Sequence, residues 1–178
     1  MERIVVLDLD NVLVINRFDN VSIRRFFRKG MRPLLLLYEL AEFLLCWVYV
    51  PELKVNKTIQ RLIKHFQNDS ELILLTDRSG LGLFNIVRRG LPLNVFDIVY
   101  IRKSFLNVIF LKKLGLEKDR IWQHRRIKPH ISMINAISIH AKNLGIESNK
   151  ILYIDDSLLM TNLARTKDFQ IYTPYPLN

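Results

Sequence analysis

The chain has 178 residues, enough for one domain of ordinary size with room for a modest insertion. Its hydrophobic fraction of 49% is ample for a buried core and excludes a disordered chain. Lys and Arg total 27 against 17 Asp and Glu, a net charge of +10 that favours an anionic partner: a phosphorylated metabolite, a nucleic acid or an acidic membrane. The single cysteine, Cys46, excludes a disulfide framework and a thiolate metal site, so a reducing, cytoplasmic setting is expected. Glu2, Asp8 and Asp10 interrupt the first apolar stretch, which therefore does not read as a secretory signal.

In chain order, the β-branched run at residues 3–9 predicts a strand buried on both faces, as in a parallel sheet. Residues 16–55 then break the pattern. They open with Arg24, Arg25, Arg28, Lys29 and Arg32 and continue into an apolar run, Leu34 to Val50, between Pro33 and Pro51. Beyond them helical spacing covers Lys57–Gln67, followed by a strand at 72–75 and a helix over Leu81–Arg89. A strand at 96–101 leads to a helix over Ser104–Leu114. Residues 102–126, rich in Lys and Arg around Trp122, suggest a second insertion. A helix over Ser132–Asn143, a strand at 151–154, a helix over Leu158–Lys167 and a strand at Phe169–Tyr172 complete the chain. This alternation predicts one α/β domain over residues 1–178: a three-layer, Rossmann-like open sheet, mostly parallel, with ligands beyond the carboxyl ends of its strands.

The acids sit where that architecture puts ligands. Asp8 and Asp10 follow one buried strand at once, and Asp155 and Asp156 follow another. If both strands are central and parallel, four carboxylates gather at one edge, where they repel and raise one another's pKa values. A hard divalent cation removes that conflict, and all-oxygen ligands suit Mg²⁺. An acid pair at a single strand end would mean little, since such residues also cap helices and begin turns. Two pairs on two strands are harder to explain that way.

The same residues carry a resemblance. VVLDLDNV, with Asp8, Asp10 and Val12, resembles the first motif of the haloacid dehalogenase superfamily. LILLTDRSG resembles its second motif, a strand ending in Thr76. Lys128, followed by Pro129, is similar to the motif-three lysine, and ILYIDDS resembles the acidic fourth motif. The order is that of the family and spans nearly the whole chain.

The resemblance implies a phosphatase in which Asp8 is the nucleophile and forms an aspartyl-phosphate. Asp10 would protonate the leaving oxygen and then take a proton from the hydrolytic water. Mg²⁺ would be held by Asp8, the Asp10 carbonyl and Asp156, with Asp155 a weaker ligand. Thr76 and Lys128 would bind the phosphoryl group, Lys128 also holding Asp8 ionised. One departure is that Met160 stands where many members carry a further acid, four residues after Asp156. Asn162 is offered as an outer substitute. His130, near Lys128, reads as a surface histidine or a substrate contact.

Family members select substrates through caps. The span between Asp8 and Thr76 is too short for a full helical cap and too long for none, so 16–55 reads as a reduced lid. Leu34–Val50 falls short of the ~20 apolar residues that span a bilayer and contains Glu39 and Glu42, so no transmembrane segment is expected. Burial against the core, a dimer interface and a membrane-surface contact all stay open for it. The leading function is hydrolysis of a small phosphorylated metabolite. The alternatives are a phosphatase of nucleotides or nucleic-acid ends, and a non-catalytic binding protein that retains the fold.

Overall fold

The computed structural model describes residues 2–10, 12–15, 54–104, 107–125 and 128–174. The apolar Leu34–Val50 run and the Arg24–Arg32 cluster lie outside these residues, as does nearly all of the expected lid. Among the described residues no helix is long and apolar enough to cross a membrane.

The chain forms β1 (Arg3–Asp8), β2 (Val14–Ile15), β3 (Lys54–Val55), α1 (Lys57–Phe66), β4 (Ser70–Leu75) and α2 (Gly80–Val87). It continues through β5 (Ile98–Arg102), α3 (Asn107–Lys113), β6 (Ile121–His124), α4 (Ile131–Asn143), β7 (Ile151–Ile154), α5 (Leu158–Arg165) and β8 (Gln170–Tyr172). Six strands make one sheet in the order β6-β5-β4-β1-β7-β8, every pair parallel. The expected α/β class and parallel sheet are therefore what the chain adopts.

β1 is central, and its alternating side chains feed two cores. Val5 and Leu7 face α1, α2 and α3, where they meet Ile59, Ile63, Leu83, Ile86 and Leu111. Ile4 and Val6 face α4 and α5, against Met133, Ile134, Ile137, Met160 and Ala164. A strand packed on both faces needs apolar residues at every position, which is why the run reads as continuous rather than alternating. Asn56 starts α1 by accepting the backbone N–H groups of Thr58 and Ile59, and Ser157 starts α5 by accepting that of Met160.

Residues 102–104 and 107–125 extend this sheet. β5 runs to Arg102, α3 crosses over, and β6 pairs with β5 as the edge strand. Strand β6 is short and partly exposed, with sequence IWQH, so it offers little apolar periodicity to read. Its Trp122 packs edge-on against Tyr100 of β5 and His140 of α4, with ring centroids 5.7 and 4.7 Å away. At the other interruption, β2 and β3 form a two-stranded antiparallel pair that brings Ile15 beside Lys54, and the Asn56 N–H donates to the Leu13 carbonyl. Residues 15 and 54 thus lie side by side.

Ile137, fully buried between α4 and the sheet, provides a test of this packing. Ile137→Ala is expected to lower unfolding free energy by about 2–5 kcal/mol in urea titrations. Leu159→Ala, at a position 57% exposed, should change it by no more than about 0.5 kcal/mol.

Candidate active site

Strand register decides which side chains meet. In β1, Leu7 pairs with Ile154 of β7, so the next residues, Asp8 and Asp155, leave the sheet at the same level. On the other side Asp8 pairs with Leu75, and Thr76 follows immediately. Asp8, Asp155 and Asp156 each offer a carboxylate oxygen within 4.8 Å of the others. Asp8 and Asp155 are buried and Asp156 is exposed, so the group is open on one side.

Lys128 reaches this group from the loop before α4. Its Nζ donates to Asp8 Oδ1 at 2.8 Å and to Asp155 Oδ2 at 3.2 Å. The Leu9 N–H also donates to Asp8 Oδ1, at 2.8 Å. These two donors fix the plane of the Asp8 carboxylate, whose Oδ2 accepts no hydrogen bond among the described residues. Asp155 is held on both oxygens: Oδ1 accepts the Ser157 N–H, and Oδ2 also accepts the Tyr153 hydroxyl at 2.9 Å.

Among the described residues, Lys128 shares the cluster with several acids. Burial pushes the Asp8 carboxyl well above the usual range; Lys128 opposes this, while Asp155 and Asp10 reinforce it. Burial pulls the Lys128 ammonium the other way, but Asp155, Asp8 and Asp77 together hold it above its ordinary value, so it stays charged. Burial, with Asp155 next, also raises the Tyr153 phenol, which stays a neutral donor. One ammonium thus faces several acids, and the donor set consists of carboxylate oxygens. Those are the features of a site for a hard divalent cation.

Thr76 is fully buried, and its Oγ1 accepts the Arg78 N–H at 3.1 Å. It does not cap the following helix; Ser79 takes that position. Asp10 is also buried, and its carboxylate meets Arg78. His130 caps α4, its Nδ1 accepting the Ser132 N–H. Asn162 is exposed and accepts from Arg165, and Met160 is fully buried in the apolar core beside α5. A helix surface bond and a core contact account for these two residues without reference to the acids.

Several neighbours of the site escape the sequence reading. Both carboxylate oxygens of Asp77 accept the Lys128 backbone N–H at 3.0 Å, tying the lysine's loop to the tip of β4. His124 Nε2 lies 3.0 Å from the Thr76 carbonyl; a carbonyl only accepts, so that nitrogen carries the proton. Asn107 donates to the Arg102 carbonyl and accepts the Gly80 N–H, fastening the start of α2 to β5. Asp77 and Arg78 had one visible signal, as charges placed directly after a strand end in TDRSG. Tyr153, His124 and Asn107 had none, since their partners are distant in sequence or hidden by side-chain direction.

No family model and no curated protein sequence matches the chain. Solved structures do. A haloacid dehalogenase family enzyme from Bacteroides thetaiotaomicron, in complex with magnesium and inorganic phosphate, is 15% identical, covers 100% of this chain and 96% of its own, and superposes with a TM-score of 0.56. A haloacid dehalogenase-like family hydrolase from Porphyromonas gingivalis is 19% identical over 100% of this chain and 93% of its own, with a TM-score of 0.53. A candidate phosphoglycolate phosphatase from Lactobacillus plantarum is 12% identical over 97% and 86%, with a TM-score of 0.60. The fold of this chain is that of the haloacid dehalogenase superfamily.

Two measurements check the electrostatics. Lys128→Met leaves buried carboxylates without their cation, and a loss of about 3 kcal/mol at neutral pH is expected in chelator-treated protein. The second concerns metal and pH. Because the folded Asp8 pKa is raised, its protonated form stabilises the metal-free fold below the ordinary carboxylate range, and that contribution disappears as pH rises through the raised value. A divalent cation binds the ionised form. Its addition should therefore raise Tm more at about pH 8 than at about pH 5, as read by differential scanning fluorimetry.

Proposed function

We propose that the chain is a Mg²⁺-dependent phosphomonoester hydrolase, acting on small phosphorylated metabolites through an aspartyl-phosphate at Asp8. The observation that carries this reading is the meeting of Asp8, Asp155 and Asp156 with Lys128 at the carboxyl end of the central strands. The presence of magnesium and phosphate together in a structural neighbour supports the choice of ion and ligand.

In this reading the Asp8 carboxylate attacks phosphorus, and the ester P–O bond breaks as the leaving oxygen takes a proton from Asp10. Asp10, now a carboxylate, accepts a proton from water as that water attacks the aspartyl-phosphate. Phosphate leaves and Asp8 is regenerated. Lys128 favours the ionised form of Asp8 and balances charge on the transferring group, and the Thr76 hydroxyl donates to a phosphoryl oxygen. Mg²⁺ held by Asp8, Asp156, the Asp10 carbonyl and, more weakly, Asp155 would supply positive charge for the phosphoryl oxygens.

The test is hydrolysis of para-nitrophenyl phosphate by the wild type and by Asp8→Asn, with Mg²⁺ and with a chelator. Turnover is expected from the wild type with Mg²⁺ alone. Equal rates for the two proteins would eliminate the reading and leave a non-catalytic protein of this fold. A panel of phosphorylated metabolites and nucleotides, scored by phosphate release, then separates the metabolite reading from the nucleotide one.

A further inference from the structure

Beyond Thr76 the carboxyl edge of the sheet changes sign. Arg102 of β5 is level with His124 of β6, and the next residues, Lys103 and Arg125, leave the two strands side by side. The Lys103 N–H donates to the His124 carbonyl at 2.7 Å, so the ladder holds these positions together. Both side chains are exposed, and among the described residues neither side chain makes a hydrogen bond or an ion pair. The chain carries no acid from residue 98 to residue 116, nor from 120 to 146, so no counter-ion lies close in sequence.

Strand alternation sets their direction. Ile101 of β5 packs in the core under α2 and α3, and Gln123 of β6 accepts from Asn107 Nδ2 of α3 at 3.3 Å. Lys103 and Arg125 lie two positions further along, on that same side of the sheet. Like charges opposite each other on neighbouring strands repel, and an anion between them turns the repulsion into attraction. The tip of β4 is fastened to the same strands. The Thr76 N–H donates to the Tyr100 carbonyl at 2.9 Å, the Arg102 N–H donates to the Arg78 carbonyl at 3.1 Å, and His124 Nε2 donates to the Thr76 carbonyl at 3.0 Å. Thr76 and the cation pair thus share one hydrogen-bonded platform.

We propose that Lys103 and Arg125 form a subsite for a second phosphate of the substrate, so that the enzyme selects bisphosphorylated small molecules. This rests on the function argued above, with the reacting phosphate at Asp8. In sheet order β5 lies two places from β1 and β6 three. At about 4.8 Å per place, the two cations leave the sheet roughly 10 and 14 Å from the strand of the nucleophile. The two phosphates of a fitting substrate are therefore several bonds apart. The Arg125 guanidinium offers a planar fork to two phosphate oxygens, and the Lys103 ammonium adds a point charge. The net charge of +10 attracts any anion; the pair adds a preference for one spacing. No bond forms or breaks at this subsite.

The experiment is competitive inhibition of Mg²⁺-dependent para-nitrophenyl phosphate hydrolysis, at fixed free Mg²⁺ and physiological ionic strength. The inhibitors are 1,6-hexanediol bisphosphate, 1,2-ethanediol bisphosphate and hexyl phosphate. Wild-type protein should bind hexanediol bisphosphate about tenfold or more tighter than the other two, the worth of one or two charge-assisted contacts. In the Lys103→Gln/Arg125→Gln double variant the three Ki values should converge, and each single variant should lose part of the preference. Lys118→Gln removes an exposed cation before β6, at the opposite edge of the sheet, and should keep the wild-type preference. All three substituted side chains are exposed, so these variants are expected to fold. Equal Ki values for hexanediol bisphosphate and hexyl phosphate in the wild type would overturn the proposal. So would an equal gain from the two-carbon bisphosphate, a preference that survives the double variant, or an equal loss in Lys118→Gln. Failure of the underlying function looks different: wild-type protein would show no Mg²⁺-dependent turnover, or Asp8→Asn would match it, and the subsite would fall with the enzyme.

Discussion

Buried like charges at the tip of a parallel sheet constrain everything around them. β1 lies between β4 and β7, and its register with β7 brings Asp8 and Asp155 out of the sheet side by side. Two buried carboxylates at that separation are costly unless positive charge stands between them, and Lys128 supplies part of it. The lysine arrives there because Asp77 grips its backbone from the end of β4. The strand ends, the β4–α2 turn and the loop before α4 thus form one electrostatic unit.

A stabilised protein would be expected to replace such a cluster with apolar residues, because buried ion pairs seldom add net stability. Its place at the edge where a doubly wound sheet opens to ligands makes sense if the buried charge has a use. The Asp8 carboxyl is raised by burial despite its lysine, and a cation bound there would favour its ionised form. Asp156 beside it is exposed. Around this centre the contacts are directional: Tyr153 and Ser157 orient Asp155, His124 holds the Thr76 carbonyl, and Arg78 pairs with Asp10. Direction, more than attraction, is what these neighbours contribute.

Much of this was legible in the chain itself. Continuous apolar runs at residues 3–9 and 151–154 predict strands covered on both faces, and acids directly after them share one edge of the sheet only if the strands are parallel. Helix spacing at Lys57–Gln67 and Ser132–Asn143 predicts helices that form within a residue or so of those limits. Strand β6 was not readable, because IWQH at a sheet edge needs no apolar alternation and draws its stability from Tyr100 and His140.

Hydrophobic periodicity and local polarity thus determined the fold class, the central strands and the acids at their ends, because those features depend on which faces must be buried. The order β6-β5-β4-β1-β7-β8, the level meeting of Asp8 with Asp155, and the partners of Lys128, Asp10 and Thr76 were decided only by tertiary structure. Side-chain hydrogen bonds link residues as far apart as Asp8 and Lys128, and their geometry follows from strand register and loop path. Neither leaves a periodic trace along the chain.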